Sequence, residues 1–290
     1  MLTPNQSKIL IIGNSHSVDA FWQLSTALRD LLPGMDPVLG VVYYSGCSIT
    51  KHIQFGTENA PAYRYYKNVG GQWDIREAFT LDTMLRDEPW DIVFLQAAKS
   101  DLDDTLNRDG RRTLEAFVNE RVKNPHQFLW HTSWPSPNDE HFFSPEHKPQ
   151  PPAGYKERLI NLYGFNPINQ FTVLTSKAKE HILTDETYPK AICTGAAIMH
   201  AHFVQRVPQI ELWRDYTHLN DFGQLIVAYA MAAQLTEKPA EAVSVDVVPA
   251  AQRYTSFQSL GDLTVTEEMK QVIIRAANHA LQDPWTVPSV

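Results

Sequence analysis

Three side chains in this chain have the types needed to move an acyl group through a serine. Ser15 follows an apolar run that starts at Lys8, and Asp215 and His218 stand three residues apart far downstream. A serine hydroxyl is a weak nucleophile until an imidazole takes its proton. The imidazole works best when a carboxylate fixes its tautomer and stabilises its cation. An Asp three residues before a His can do both from one loop. Such a reaction also needs hydrogen-bond donors for the oxyanion of the tetrahedral intermediate. Gly46, in "YYSGCSI", offers a backbone N–H that no side chain encumbers, and Gln96, in "FLQ", offers a side-chain amide.

These groups can act together only if the fold gathers them. Lys8–Asn14 reads as a strand buried on both faces, as parallel strands are. Ser17–Leu32 carries Val18, Phe21, Leu24, Leu28 and Leu31 at helical spacing and stops at Pro33-Gly34. Further strands are expected in Asp36–Cys47, in Trp90–Asp101 around Ile92–Leu95, in His126–Pro135 and in Tyr188–Ile198. Helices expected at Arg111–Val122 and Phe171–Leu183 separate some of them. This alternation predicts an α/β class: a three-layer α/β/α sandwich, flavodoxin-like, with a parallel sheet of about five strands. Reactive groups in such sheets collect beyond the carboxyl ends of the strands. Ser15, Gly46 and Gln96 each follow a predicted strand, and Asp215 and His218 follow the last one. All would share one rim. Ser15 would also sit at a helix N-terminus, where free amides and the helix dipole favour an anionic transition state. Asp221 with Gln224 reads as the cap of the strong helix after His218.

Two segments depart from the pattern. Residues 132–166 form a long insertion whose first part, Thr132–Pro152, holds six of the 19 prolines, as a lid or an exposed loop would. Residues 237–290 read as an extension docked on a main domain, residues 1–236. In it "AVSVDVV" suggests an extra strand and Thr264–Leu281 a final helix, opened by the capping box Thr264-x-x-Glu267.

Gly13-Asn14-Ser15-His16 resembles the first block of the GDSL, or SGNH, hydrolases, with Asn14 in their Asp position. Gly46 is similar to their second-block glycine, and Asp215-x-x-His218 to their last block. The resemblance runs from about Lys8 to Leu235 and leaves the tail outside. It implies Ser15 as nucleophile, His218 as base and Asp215 as the orienting carboxylate, with the amides of Ser15 and Gly46 in the oxyanion hole. The third block differs. The family usually has Gly-x-Asn-Asp there, while this chain has Gln96-Ala97-Ala98-Lys99. Gln96 resembles the glutamine of a Gln-Gly-Glu block in carbohydrate-esterase relatives.

Composition narrows the rest. The chain has 25 Lys+Arg against 33 Asp+Glu, a net charge of −8, and no basic cluster, which argues against nucleic acid as a partner. No apolar run approaches the ~20 residues of a membrane span. The 2 cysteines, Cys47 and Cys193, are too few for a disulfide framework, and no basic-then-apolar leader opens the chain. Together these suggest a cytoplasmic location. There is no Gly-x-Ser-x-Gly elbow, phosphate loop, dinucleotide fingerprint or His-Glu-x-x-His motif. His141 and His147, near Glu140 and Glu146, read as solvated loop residues. No metal or organic cofactor is required. His16, Trp130, His131 and Trp134 are expected to wall the cleft, where aromatic planes suit a sugar ring or an acyl chain. The expected reaction is hydrolysis of a short acyl ester, a carbohydrate O-acetyl group included. Two alternatives stay open: acyl transfer by the same three residues, and a non-catalytic binding domain on this scaffold.

Overall fold

Alternation along the first strand sets the layering. In β1 (Lys8–Gly13), Ile9 and Ile11 point into one apolar core, and Leu10 and Ile12 into another. Both sheet faces must therefore be covered. The computed structural model describes residue 2 and residues 7–97, 108–250 and 261–288. The expected run-on of the third strand through Ala98–Asp101 lies outside the described residues.

The remaining strands of the main sheet are β2 (Val38–Tyr43), β3 (Tyr63–Val69), β4 (Gln72–Phe79), β5 (Ile92–Leu95), β6 (Gln127–Thr132) and β7 (Ala191–Cys193). They form one seven-stranded sheet in the order β4-β3-β2-β1-β5-β6-β7. β2, β1, β5, β6 and β7 pair in parallel, which are the five strands expected from the apolar runs. β3 and β4 are an antiparallel hairpin added at the β2 edge. Its turn is Gly70-Gly71, with φ of +61° and +86°, the left-handed pair that a two-residue hairpin requires.

Helices cover both faces. α1 (Ser15–Phe21), α2 (Leu24–Leu31), α9 (Asp221–Thr236) and α10 (Glu267–Gln282) contribute to the core under Ile9 and Ile11. On the other face lie α3 (Ile49–Thr57), α4 (Leu81–Asp87) and α5 (Arg108–Asn119). α6 (Tyr155–Tyr163), α7 (Pro167–His181) and the short α8 (Gly195–Met199) are the other α-helices among the described residues. The C-terminal helix buries Ile273, Ala276, Ala277 and Ala280 in the same core as α9. Among the described residues, no helix is long and apolar enough to cross a membrane.

Several local expectations need correction. The single helix expected over Ser17–Leu32 is two helices. The Trp22 carbonyl accepts a hydrogen bond from Trp73 Nε1 (3.1 Å), and the two indoles stack with centroids 5.1 Å apart, where the chain turns. The cap of α9 is Asn220, which accepts from Gly223 N, so Asp221 is already helical. The cap of α10 is Thr266, which accepts from Met269 N. Thr264 instead pairs with Val247 in a two-stranded ribbon, and only Val247–Val248 of the expected extra strand is extended and paired.

Candidate active site

The β1–α1 junction is built so that one hydroxyl stands clear. Asn14 caps α1, its Oδ1 accepting from His16 N at 3.1 Å. Ser15 is thereby the first helical residue, and its N–H has no acceptor within the helix. Gln96, at the end of β5, holds the turn from behind. Its Oε1 accepts from Asn14 N (3.2 Å) and from Ser17 Oγ (2.9 Å). Gly13 is needed at this point because a Cβ there would lie 2.6 Å from Gln96 Oε1 and overlap Ser17 Oγ. Ser15 itself is half-buried, on the open side.

The other half of the site is a tight loop before α9. Asp215 is fully buried, and its Oδ1 accepts from the backbone N–H of Thr217 (2.9 Å) and of His218 (2.8 Å). His218 Nδ1 lies 2.8 Å from Asp215 Oδ2 and 3.0 Å from Oδ1. An ionised carboxylate only accepts, so Nδ1 carries the proton and Nε2 presents a lone pair. Ser15 Oγ then donates to His218 Nε2 at 2.7 Å. Burial alone would raise the Asp215 pKa. Its hydrogen bonds to His218, with Arg214 nearby, outweigh that and hold the carboxyl below the usual range. This Ser–His–Asp chain has the geometry for general-base activation of a hydroxyl.

Gly46 follows β2 in an exposed turn with φ of +58°, a conformation that favours glycine. The Gln96 side chain, expected as an oxyanion donor, also serves the β1–α1 turn. Its oxygen is committed to Asn14 and Ser17, and its Nε2 donates to the Ala97 carbonyl. It fastens the turn that carries Ser15; Ala98 and Lys99 lie outside the described residues.

The expected cleft walls are mostly interior. Trp130 points into the opposite core and packs edge-on against Tyr188 at 6.0 Å, because successive residues of β6 face opposite sides of the sheet. His131 is buried against Thr194 Oγ1 (2.9 Å), and desolvation pushes its pKa down to about 3. Trp134 is fully buried and donates from Nε1 to the Thr217 carbonyl at 3.0 Å. His16 shares that carbonyl through Nε2 (3.2 Å) and packs edge-on against Trp134. These two side chains support the His218 loop from beneath. His218 also meets the half-buried Tyr216, 6.4 Å away between ring centroids, and Tyr216 meets the half-buried Tyr155 at 5.0 Å. Tyr155 opens α6, and its hydroxyl is 2.8 Å from Ser136 Oγ. His147 donates from Nε2 to the Arg214 carbonyl at 3.1 Å and packs against His141 at 4.8 Å, so it is tied to the site loop and not simply solvated.

Residues 8–149 match the family model described as a domain of unknown function, DUF4886. No curated protein matches the chain. Among solved structures, a DUF4886 family protein from Bacteroides uniformis is 23% identical with a TM-score of 0.70, covering 98% of this chain and 97% of its own. That likeness is one of fold, and it extends through the C-terminal helix. Axe2, an acetylxylan esterase from Geobacillus stearothermophilus, is 14% identical with a TM-score of 0.42, over 79% of this chain and 93% of its own. Est24, a carbohydrate acetylesterase from Sinorhizobium meliloti, is 11% identical with a TM-score of 0.41, over 79% and 98%.

Proposed function

We propose that this protein is a serine esterase of the SGNH type that hydrolyses short acyl esters, O-acetyl groups on carbohydrate included, through an acyl-serine. The observation that carries the reading is the 2.7 Å contact between Ser15 Oγ and His218 Nε2, with Asp215 behind the ring. In the first half-reaction the Ser15 proton passes to Nε2 as Oγ bonds to the ester carbonyl carbon. Asp215 stabilises the imidazolium that forms. The carbonyl oxygen becomes an oxyanion, which the N–H groups of Ser15 and Gly46 are suited to receive. The carbon–oxygen bond to the alcohol then breaks, and the alcohol leaves with the proton from Nε2. In the second half-reaction water gives a proton to Nε2 and adds to the acyl carbon. Collapse of that intermediate releases the acid and returns the proton to Ser15 Oγ.

Tyr216 and Tyr155, half-buried rings beside His218, are the aromatic surfaces proposed to receive a sugar ring or a small acyl group. The test is burst kinetics with p-nitrophenyl acetate. The parent protein should release a burst equal to its active-site concentration, and Ser15→Ala should release none. Equal slow hydrolysis by both proteins would end the proposal. Acetylated oligosaccharides compared with long-chain acyl esters would then locate the substrate class, with the short chain preferred.

A further inference from the structure

Ser15 and His218 come from segments 203 residues apart, and nothing covalent near either one sets the distance between them. Asp19 helps to set it. It lies one helical turn beyond Ser15 in α1, on a helix whose start is pinned by Asn14 and Gln96, and its side chain is fully buried. Its Oδ2 accepts from the backbone N–H of Leu219 at 3.0 Å, and its Oδ1 accepts from Arg214 Nη1 and from Gln224 Nε2, each at 3.0 Å. Arg214 immediately precedes Asp215, and Leu219 immediately follows His218. One carboxylate therefore grips both ends of the loop that carries the imidazole. The loop neck is closed independently. Arg214 N donates to the His218 carbonyl and Asn220 N to the Leu212 carbonyl, both at 3.0 Å, and Trp213 bridges Leu219. Arg214 and Gln224 also reach the Leu219 carbonyl. The loop is thus a closed unit, and Asp19 joins its two ends to the helix that carries the hydroxyl, beside the His16 Nε2 contacts to the Thr217 carbonyl and Oγ1 at 3.2 and 3.1 Å.

We infer that Asp19 is a positioning residue for the Ser15–His218 contact, holding both ends of the Asp215–His218 loop at reacting distance from α1 while His16 holds its middle through Thr217. This rests on the esterase reading of the site. The geometry shows what a neutral substitute does. All three partners are donors, so an asparagine can keep its one oxygen on Arg214 and Gln224 only by turning its NH₂ toward the Leu219 N–H. Two donors then face each other. Release falls on the residue next to His218, while the His218–Asp215 pair, internal to the loop, is untouched. A displacement of about 1 Å between reacting groups lowers turnover on the order of 100-fold.

The experiment measures ester turnover and the downfield proton resonance of His218 Nδ1–H in the parent, Asp19→Asn, Asp19→Glu and Ser15→Ala. Asp19→Asn should lower kcat about 100-fold, leave KM within about 3-fold and keep the Nδ1–H resonance. Asp19→Glu keeps a carboxylate for all three donors. It should recover part of the lost kcat, because the clamp is remade one methylene longer. A kcat within about 3-fold of the parent, a loss expressed in KM, or disappearance of the Nδ1–H resonance would overturn the inference. So would failure of both Asp19 variants to fold, since the carboxylate would then hold the fold and not the site distance. A parent without Ser15-dependent turnover would instead end the esterase reading, which separates the two failures.

Discussion

Asp215→Asn should abolish most activity while leaving the site nearly unchanged in shape. In the parent, Asp215 Oδ1 accepts from the N–H groups of Thr217 (2.9 Å) and His218 (2.8 Å), and an asparagine oxygen can keep both. Its NH₂ then occupies the place of Oδ2, 2.8 Å from His218 Nδ1. Two donors cannot share that contact, so the ring proton moves from Nδ1 to Nε2. Across the same 2.7 Å, Nε2–H now donates to Ser15 Oγ instead of accepting from it. The imidazole no longer offers a lone pair to the hydroxyl. The same replacement in a serine protease lowers kcat about 10⁴-fold, which corresponds to about 5 kcal/mol of activation free energy. Stability should change far less, by no more than about 2 kcal/mol, because both backbone donors keep an acceptor. The remaining effect has a sign. The Asp215 carboxyl is held below its ordinary pKa by His218 and Arg214 despite burial. Its ionised form therefore stabilises the fold at neutral pH, and that contribution is lost as pH falls through the folded pKa. Steady-state ester hydrolysis gives kcat, and urea titration gives stability. A kcat within about tenfold of the parent would refute the assignment of Nε2 as the base.

Other expectations concern the scaffold. Burial pushes His52 and His131 from 6.5 down to about 3. The unfolded chain binds protons below about 6.5 that these groups refuse when folded, so stability should fall between pH 6.5 and 4 by about 1 kcal/mol per pH unit for each. His131→Gln should reduce that slope by about one such increment in urea melts at pH 7 and 5, and an unchanged slope would count against it. Gly13→Ala should cost several kcal/mol and depress turnover, because the new methyl overlaps Ser17 Oγ and crowds Gln96; a Tm equal to the parent's would contradict this. Gln96→Glu, protonated in so buried a place, keeps an acceptor for Asn14 and Ser17 and a donor for Ala97. Its activity should stay within about tenfold, whereas loss of an oxyanion donor would cost about 10²–10³-fold.

The parallel strands were legible because each is centred on apolar residues buried on both faces. The β3–β4 hairpin was not, because β4 is an edge strand with most residues exposed, so no alternation marks it. Gly70-Gly71 was the available signal. The candidate nucleophile, base and carboxylate were readable as residue types placed after strands. The cleft walls were not. Whether Trp130, His131 or Trp134 faces solvent depends on Tyr188, Thr194 and Thr217, which come from elsewhere in the chain. Gln96 was found at the right rim, but its direction is set by the N–H of Asn14 across the sheet. Asp19 looks like any polar residue on a short helix until the Arg214–Gln224 segment closes over it. Caps were misplaced by one or two residues because adjacent polar residues compete for the same role, as Asn220 and Asp221 do.

The central claim is that Ser15 carries the acyl group between the two half-reactions. The direct measurement is acid quench of the parent protein during turnover of p-nitrophenyl acetate, followed by peptide mapping by mass spectrometry. A single acetyl group is expected on the peptide containing Ser15, present in the parent and missing from Ser15→Ala. Acetyl found on another residue, or to the same extent in Ser15→Ala, would contradict it.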